Sequence, residues 1–266
     1  MRPIMHQYLF FIGNFPIRLY GIFFSLGIIS GCITAYFLLK KDRRGWESHM
    51  FDLGLVIAFA GIVGGRLWDV FFFDWEYYHN HLLEIPYIWQ GGMAIQGGII
   101  FACIAAYFYL KKHQIPVLPF ADTVTPGIIL GQAVGRIANF MNGDAFGHPT
   151  GQDFGLLYPD TTLAYHTYGA QPLWPAEVWE CQGDLLIFVL LLWYGCKTRA
   201  EGTTFCLYIM FYSLLRFFLE NYRGDYGTLA LGLKSAQITS LAAFVGAFIL
   251  FLYFHFKYKS KSGISE

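Results

Sequence analysis

Between positions 135 and 147 the chain reads Gly-Arg-Ile-Ala-Asn-Phe-Met-Asn-Gly-Asp-Ala-Phe-Gly. A permanent cation (Arg136), two amides (Asn139 and Asn142) and a carboxylate (Asp144) thus stand at the end of a segment apolar enough to lie in a bilayer. An arginine in the middle of a membrane helix costs roughly 2.5–3.5 kcal/mol even on lenient insertion scales, so it persists where it faces protein, water or a charged ligand. A second set, Tyr212, Arg216, Glu220 and Arg223, is spaced by threes and fours in another apolar run. Arginine's planar fork gives two parallel hydrogen bonds to a phosphate and keeps its charge when desolvated. Residues of these types at these spacings describe a buried site for an anion.

The elements that must carry them are membrane helices. Of 266 residues 56% are hydrophobic and only 14% charged, against roughly 25% charged in a soluble domain. Lys plus Arg equals Asp plus Glu at 18 each, so net charge points to no nucleic-acid or acidic partner. The cysteines (Cys32, Cys103, Cys181, Cys196 and Cys206) lie mostly in apolar runs without paired spacing, which argues against a metal knuckle or a disulfide framework. No short apolar core followed by a small-residue cleavage site opens the chain, so the first apolar run is expected to be a retained span.

Seven segments approach the ~20 residues needed to cross the hydrocarbon core: 17–39, 50–73, 92–110, 118–141, 182–196, 203–222 and 236–256. The expectation is an all-α polytopic protein, one integral membrane domain over 1–266 with an external cap over 142–180. Lys40, Lys41, Arg43, Arg44, Lys111, Lys112, Lys197, Arg199, Lys257, Lys259 and Lys261 follow alternate spans, while the loops 74–91 and 142–180 contain no lysine or arginine. The positive-inside rule therefore places the amino terminus outside and the carboxyl terminus in the cytoplasm. The 142–180 loop is long and rich in Gly, Pro and aromatics, which argues for an ordered, functional segment. Trp68, Trp75, Trp89, Trp174 and Trp179 fall near the external boundaries, where indole rings form an interfacial belt.

Arg66, Arg136 and Arg216 then lie at one depth, roughly 8–11 Å below the external boundary at ~1.5 Å per residue. On a helical wheel Gln132, Arg136, Asn139 and Gly143 share one face, and Gly127, Gly131 and Gly135 form a small-residue ridge on another. Arg66 has a local partner in Asp69 and Arg216 one in Glu220, whereas Arg136 has no acid at three or four residues' distance. Trp89-Gln-Gly-Gly-Met-Ala-Ile-Gln-Gly-Gly98 supplies two glycine pairs that either aim backbone N–H groups at an anion or allow close helix packing; both readings stand. An anion at outer-leaflet depth, reached sideways, is most simply a phospholipid phosphate.

These residues resemble the prolipoprotein diacylglyceryl transferase family over nearly the whole chain. Residues 135–147 resemble its signature, Leu19-Tyr20-Gly21 its first-span tyrosine, Gly64-Gly65-Arg66 its second-span turn, and Tyr212, Arg216, Glu220 and Arg223 its late arginine-glutamate helix. The resemblance implies a seven-span enzyme of the bacterial inner membrane. It moves diacylglyceryl from phosphatidylglycerol to the lipobox cysteine thiol of a prolipoprotein signal peptide, releasing glycerol phosphate. It implies catalytic roles for Tyr20, Arg136, Asn139, Asp144, Arg216 and Glu220, and substrate contacts from Arg66, Gln96, Arg136, Asn142, Gly147, Tyr212 and Arg216, with no metal or cofactor. Three features depart from the family. Gln96 stands where the glycine pairs commonly flank a histidine, Asp144 where glutamate is frequent, and Trp174-Pro-Ala-Glu-Val-Trp-Glu180 follows the His-Pro-Ser-Gln-Leu-Tyr-Glu form loosely. Asp144 or Glu220 is left to take the thiol proton. The competing class is a transporter or scramblase of anionic headgroups, which often shows matching halves with broken helices; no repeat is visible. A metal-dependent phosphatidyl-alcohol transferase would need clustered aspartates, which are absent. Oligomeric state is not encoded in any motif.

Overall fold

A computed structural model describes residues 5, 7–13, 15–195, 200–224 and 232–262. A short hairpin, β1 (Tyr8–Ile12) and β2 (Phe15–Arg18), leads into α1 (Leu19–Asp42). Then come α2 (Met50–Trp68), which continues through a π-helical turn over Asp69–Phe73, α3 (Trp75–Tyr78), α4 (Ile95–Lys112) and α5 (Val117–Asn142). The rest comprises α6 (Leu163–Tyr168), α7 (Ala176–Gly195), α8 (Thr203–Leu219) and α9 (Ser235–Ser262). Lys197 and Arg199, used in the charge argument, lie outside the described residues.

The hairpin corrects the purely helical expectation. Tyr8-Leu-Phe-Phe-Ile12 is β-prone, Gly13 supplies a left-handed turn residue (φ 61°), and Phe11 pairs with Pro16, so α1 starts at Leu19 rather than 17. Among the described residues five helices are long and apolar enough to cross a membrane: α1, α2 with its flanking turns, α5, α8 and α9. The other two expected spans correspond to α4, which ends on Lys111 and Lys112, and α7, which carries Glu177, Glu180 and Asp184.

The chain divides into two compact units, Met1–Leu38 with Ala121–Glu266, and Leu39–Phe120. In the second, α2 and α4 pack through glycines: a Cβ on Gly64 would stand 2.6 Å from the Gly97 carbonyl oxygen, and one on Gly98 would stand 3.3 Å from that of Gly61. Only residues without side chains let the two backbones approach so closely. In the first unit, α1 and α5 do the same. A Cβ on Gly27 would lie 2.7 Å from the Gly131 oxygen, and one on Gly31 2.8 Å from the Gly127 oxygen. Pro126 sits inside α5, and Asp122, one turn earlier, accepts from Gly202 N (2.7 Å) and Phe205 N (2.9 Å), so a side chain of α5 caps the start of α8. Ile129, Ile187 and Leu191 form the core between α5 and α7, with Leu207 and Phe211 of α8 against them.

Residues 143–175 fold into an ordered cap. Met5, Phe146, Tyr158, Ala164 and Leu173 form its buried core. Gln7 Nε2 donates to the Asn142 carbonyl at 3.0 Å, tying the chain's start to the end of α5. Tyr158 donates a short hydrogen bond to the buried Glu177. Burial, and next the Glu177 charge, push the Tyr158 phenol's pKa up, so it stays protonated and keeps donating. Trp174, Trp179 and Tyr222 pack ring against ring at 5.2–5.6 Å, joining the cap to the chain that leaves α8.

Candidate active site

Four helices bring charge together at the base of the cap. The hub is Glu180, on the first turns of α7 and 1% exposed. Arg136 Nε of α5 meets its Oε2 at 3.0 Å, Arg216 Nη1 of α8 its Oε1 at 2.5 Å, and Arg223 Nη1 its Oε2 at 3.4 Å. A second buried carboxylate, Glu220, meets Arg216 Nη2 at 2.7 Å, Arg223 Nε at 3.8 Å and Lys234 Nζ at 4.0 Å. Lys234, at the start of α9, also donates to the carbonyls of Glu220 (2.9 Å) and Arg223 (2.6 Å). Among the described residues, four cations thus meet two glutamates, with the buried Glu177 and Asp184 nearby on the same helix as Glu180. In such a low-dielectric setting charges attract much more strongly than in water.

Arg136, Arg216 and Lys234 are the members of the cluster with some exposure, 17%, 14% and 14% of the side chain, against 5% for Arg223; of the arginine forks, those of Arg136 and Arg216 are the more open. The rest of the Arg136 guanidinium is aimed by weaker contacts: Nη2 donates to Tyr212 Oη at 3.3 Å and Nη1 to Asn139 Oδ1 at 3.4 Å. Asn139 Nδ2 in turn donates to Asp144 Oδ1 (2.9 Å), and Asn142 Nδ2 to Asp144 Oδ2 (3.1 Å). Asp144 therefore closes the turn after α5, with Gly143 in the left-handed region (φ 71°), and fixes which way both amides point. Tyr20, on the first turn of α1 and half-buried, lies within electrostatic reach of Asp144 and Arg136. Gly147 bridges to Arg223 as an antiparallel pair, and any Cβ there would collide with the Trp174 carbonyl. Glycine at 147 is what lets the cap chain approach and hold Arg223.

Tyr20, Arg136, Asn139, Asn142, Asp144, Gly147, Tyr212, Arg216 and Glu220 all belong to one neighbourhood of the first unit. Arg66 and Gln96 belong to the other unit. Arg66, 4% exposed, donates to the carbonyls of Ile85 (2.7 Å), Gly91 (2.8 Å), Gly92 (3.0 Å) and Glu84 (3.1 Å), with Asp69 at 3.9 Å. It latches its own loop, and a Cβ on Gly92 would sit 2.5 Å from Arg66 Nη1. Gly97 and Gly98 serve the packing of α4 on α2. Gln96 is exposed on the first turn of α4.

Glu180 and Lys234 were not among the expected site residues. Glu180 had a signal: it closes the run Trp174–Glu180 that carries part of the family resemblance. The expected fifth span, 182–196, takes in Asp184 and leaves Glu177 and Glu180 outside. In the fold all three are buried inside α7. His49, His113, His148 and His166 form no metal cluster with other ligating side chains among the described residues.

An arginine cluster buried among helices apolar enough to cross a bilayer marks the candidate site of a membrane protein. The model of the prolipoprotein diacylglyceryl transferase family matches residues 7–253, and the chain belongs to that family. It is similar to the phosphatidylglycerol–prolipoprotein diacylglyceryl transferase of Clostridium botulinum strain Langeland, 34% identical over 94% of this chain and 96% of that one. It is also 33% identical to the protein of that name in Staphylococcus saprophyticus, over 94% of this chain and 89% of that one, and 33% identical to the one in Halalkalibacterium halodurans, over 91% and 84%.

Proposed function

We propose that this chain transfers diacylglyceryl from phosphatidylglycerol to the lipobox cysteine thiol of a prolipoprotein signal peptide. The observation that carries the reading is the convergence of Arg136 and Arg216, from different helices, on the single carboxylate of Glu180. Family membership favours it over a headgroup transporter. In this reading α4 and α7 complete the five apolar helices as seven crossings, which puts the termini on opposite sides of the bacterial inner membrane. The basic residues that end α1 and α4 and follow the apolar stretch of α9 support an external amino terminus and a cytoplasmic carboxyl terminus.

The lipid phosphate is received by the partly exposed forks of Arg136 and Arg216, with Asn139 oriented beside them by Asp144 and Tyr20 near the glycerol. The thiol sulfur attacks the glycerol carbon that bears the phosphate ester. A C–S bond forms, the C–O bond breaks, and glycerol phosphate leaves with the electron pair. A free cysteine near pKa 8.5 is only a few per cent thiolate at pH 7, and adjacent guanidinium charge raises that fraction. Asp144 takes the proton in this scheme: among the described residues its side chain accepts from two neutral amides, whereas Glu220 is committed to Arg216, Arg223 and Lys234. The leaving phosphate gains a second negative charge as the bond breaks, so arginine contacts that strengthen then lower the barrier.

The test is thioether formation by the purified chain with phosphatidylglycerol and a lipobox peptide. Arg216→Lys keeps the charge and loses the fork that spans Glu180 and Glu220, so transfer is expected to fall on the order of a hundredfold. Full activity of that variant, or headgroup translocation without thioether, rejects the reading.

A further inference from the structure

The mechanism above uses the shell around Arg136 and leaves a fully buried carboxylate one helical turn away without a role. Asp184 has no exposed surface and lies four residues after Glu180 on α7. Gln132 lies four residues before Arg136 on α5, and Tyr208 four before Tyr212 on α8. Residues four apart share a helix face, and here the polar contacts repeat at that step. In the upper tier Arg136 meets Glu180 at 3.0 Å and the Tyr212 hydroxyl at 3.3 Å. In the lower tier Gln132 Oε1 accepts from the Tyr208 hydroxyl at 3.1 Å, and its amide faces Asp184 without closing a full hydrogen bond on either carboxylate oxygen. The two tyrosine rings stack at 6.1 Å with 21° between their planes, which joins the tiers.

A buried carboxylate is costly unless its surroundings compensate, and an unpaired one more so. Arg136 lies within electrostatic reach of Asp184. The Arg136 fork also needs such help. Its 3.0 Å ion pair with Glu180 runs through Nε without closing a hydrogen bond, while its terminal nitrogens make contacts of 3.3 and 3.4 Å, so the plane of the group is weakly determined. Asp184 draws the guanidinium from the next turn, and Gln132 and Tyr208 set the stack that points the Tyr212 hydroxyl at it. Accepting this chain as a phosphatidylglycerol-using transferase, we propose that Asp184 is a positioning residue. With Gln132 and Tyr208 it forms a second polar tier that holds Arg136 in the orientation that receives the lipid phosphate. Misplacing a reacting partner by about 1 Å can cost on the order of a hundredfold in rate, so a tier that never touches substrate still governs turnover.

The experiment compares Asp184→Val, Asp184→Asn and Tyr208→Phe in the purified full-length chain, reading thioether kinetics and melting temperature together. Asp184→Val is expected to lower kcat about tenfold or more, with the KM for phosphatidylglycerol changed less than about threefold and the melting temperature kept. Neither Asp184 oxygen closes a hydrogen bond among the described residues, so the apolar replacement strands no bonded partner. Asp184→Asn, which keeps an acceptor for the Gln132 amide, should recover part of that loss. Tyr208→Phe, a substitution too mild to prevent folding, should lower kcat roughly threefold. Unchanged kcat in Asp184→Val overturns the proposal, as does a loss that follows a falling melting temperature while Tyr208→Phe stays fully active. Absence of thioether with the unsubstituted chain would overturn the transfer reading and this proposal with it; an active parent with unaffected variants overturns this proposal alone.

Discussion

Glu180 holds three guanidinium groups at once, and its environment makes its charge hard to replace. Removing one member of a buried ion-paired group typically costs about 3–5 kcal/mol, because the partners are left uncompensated. Glu180→Gln keeps the shape of the side chain and leaves Arg136, Arg216 and Arg223 around a neutral amide. The variant is expected to unfold at clearly lower temperature in detergent and to lose transfer on the order of a hundredfold, measured by thermal unfolding and thioether yield. Glu180→Asp, one methylene shorter, should recover only part of both. At this scale the sequence was informative about the arginines and mute about their partner. Arg216 and Glu220 are four residues apart and announce each other, whereas Arg136 and Glu180 are 44 positions apart in the chain and meet only in the fold.

Helix packing is governed by which glycines face a neighbour. The ridge Gly127, Gly131 and Gly135 is legible from spacing, but only its first two members aim their open side at α1: hypothetical Cβ atoms on Gly127 and Gly131 come 2.5 and 2.8 Å from carbonyl oxygens of Gly31 and Gly27, whereas Gly135 meets α1 through its backbone nitrogen, 3.4 Å from a Cβ built on Gly27, and its own Cβ would meet nothing within 4 Å. Gly131→Val should therefore force α1 away from α5 and destabilise the protein by roughly 1–3 kcal/mol, the usual range for overpacking. Gly135→Ala should leave the melting temperature unchanged or slightly raised, since alanine is the better helix former by about 0.5–1 kcal/mol. Paired melting curves separate the two positions, and equal losses at both would defeat the packing argument. The glycine runs around Gln96 show the same division of labour: carbonyls at Gly91 and Gly92 accept from Arg66, while Gly97 and Gly98 admit α2.

At the scale of the molecule the solvent is lipid, so large apolar side chains stay uncovered along the helices, as at Leu55, Phe59 and Ile249. In the proposed orientation, charge distribution sets the direction of insertion: basic clusters end α1 and α4 and follow α9's apolar stretch, and the loop 74–91 carries none. Alkaline phosphatase fused within 74–91 should be active outside the membrane, and the same enzyme fused after Ser262 inactive, with a cytoplasmic reporter showing the reverse. Two active phosphatase fusions would sink the proposed topology. The same scale explains why α7 escapes a count of apolar helices. Glu177, Glu180 and Asp184 lower its hydropathy, yet each is buried against other protein groups and not against lipid.

From the residues alone come the membrane class, the limits of the most apolar helices to within a few positions, the polar face Gln132-Arg136-Asn139 and the family. Each depends on composition or on spacing along one helix, which a linear string records directly. The fold alone decided that Arg136 and Arg216 share Glu180, that Lys234 closes on Glu220, that Arg66 latches its own loop, and that an amino-terminal hairpin precedes α1. Those outcomes depend on which helix faces which. A charge that looks prohibitive in one apolar segment becomes acceptable only when another segment brings its counter-charge, and that pairing has no period along the chain.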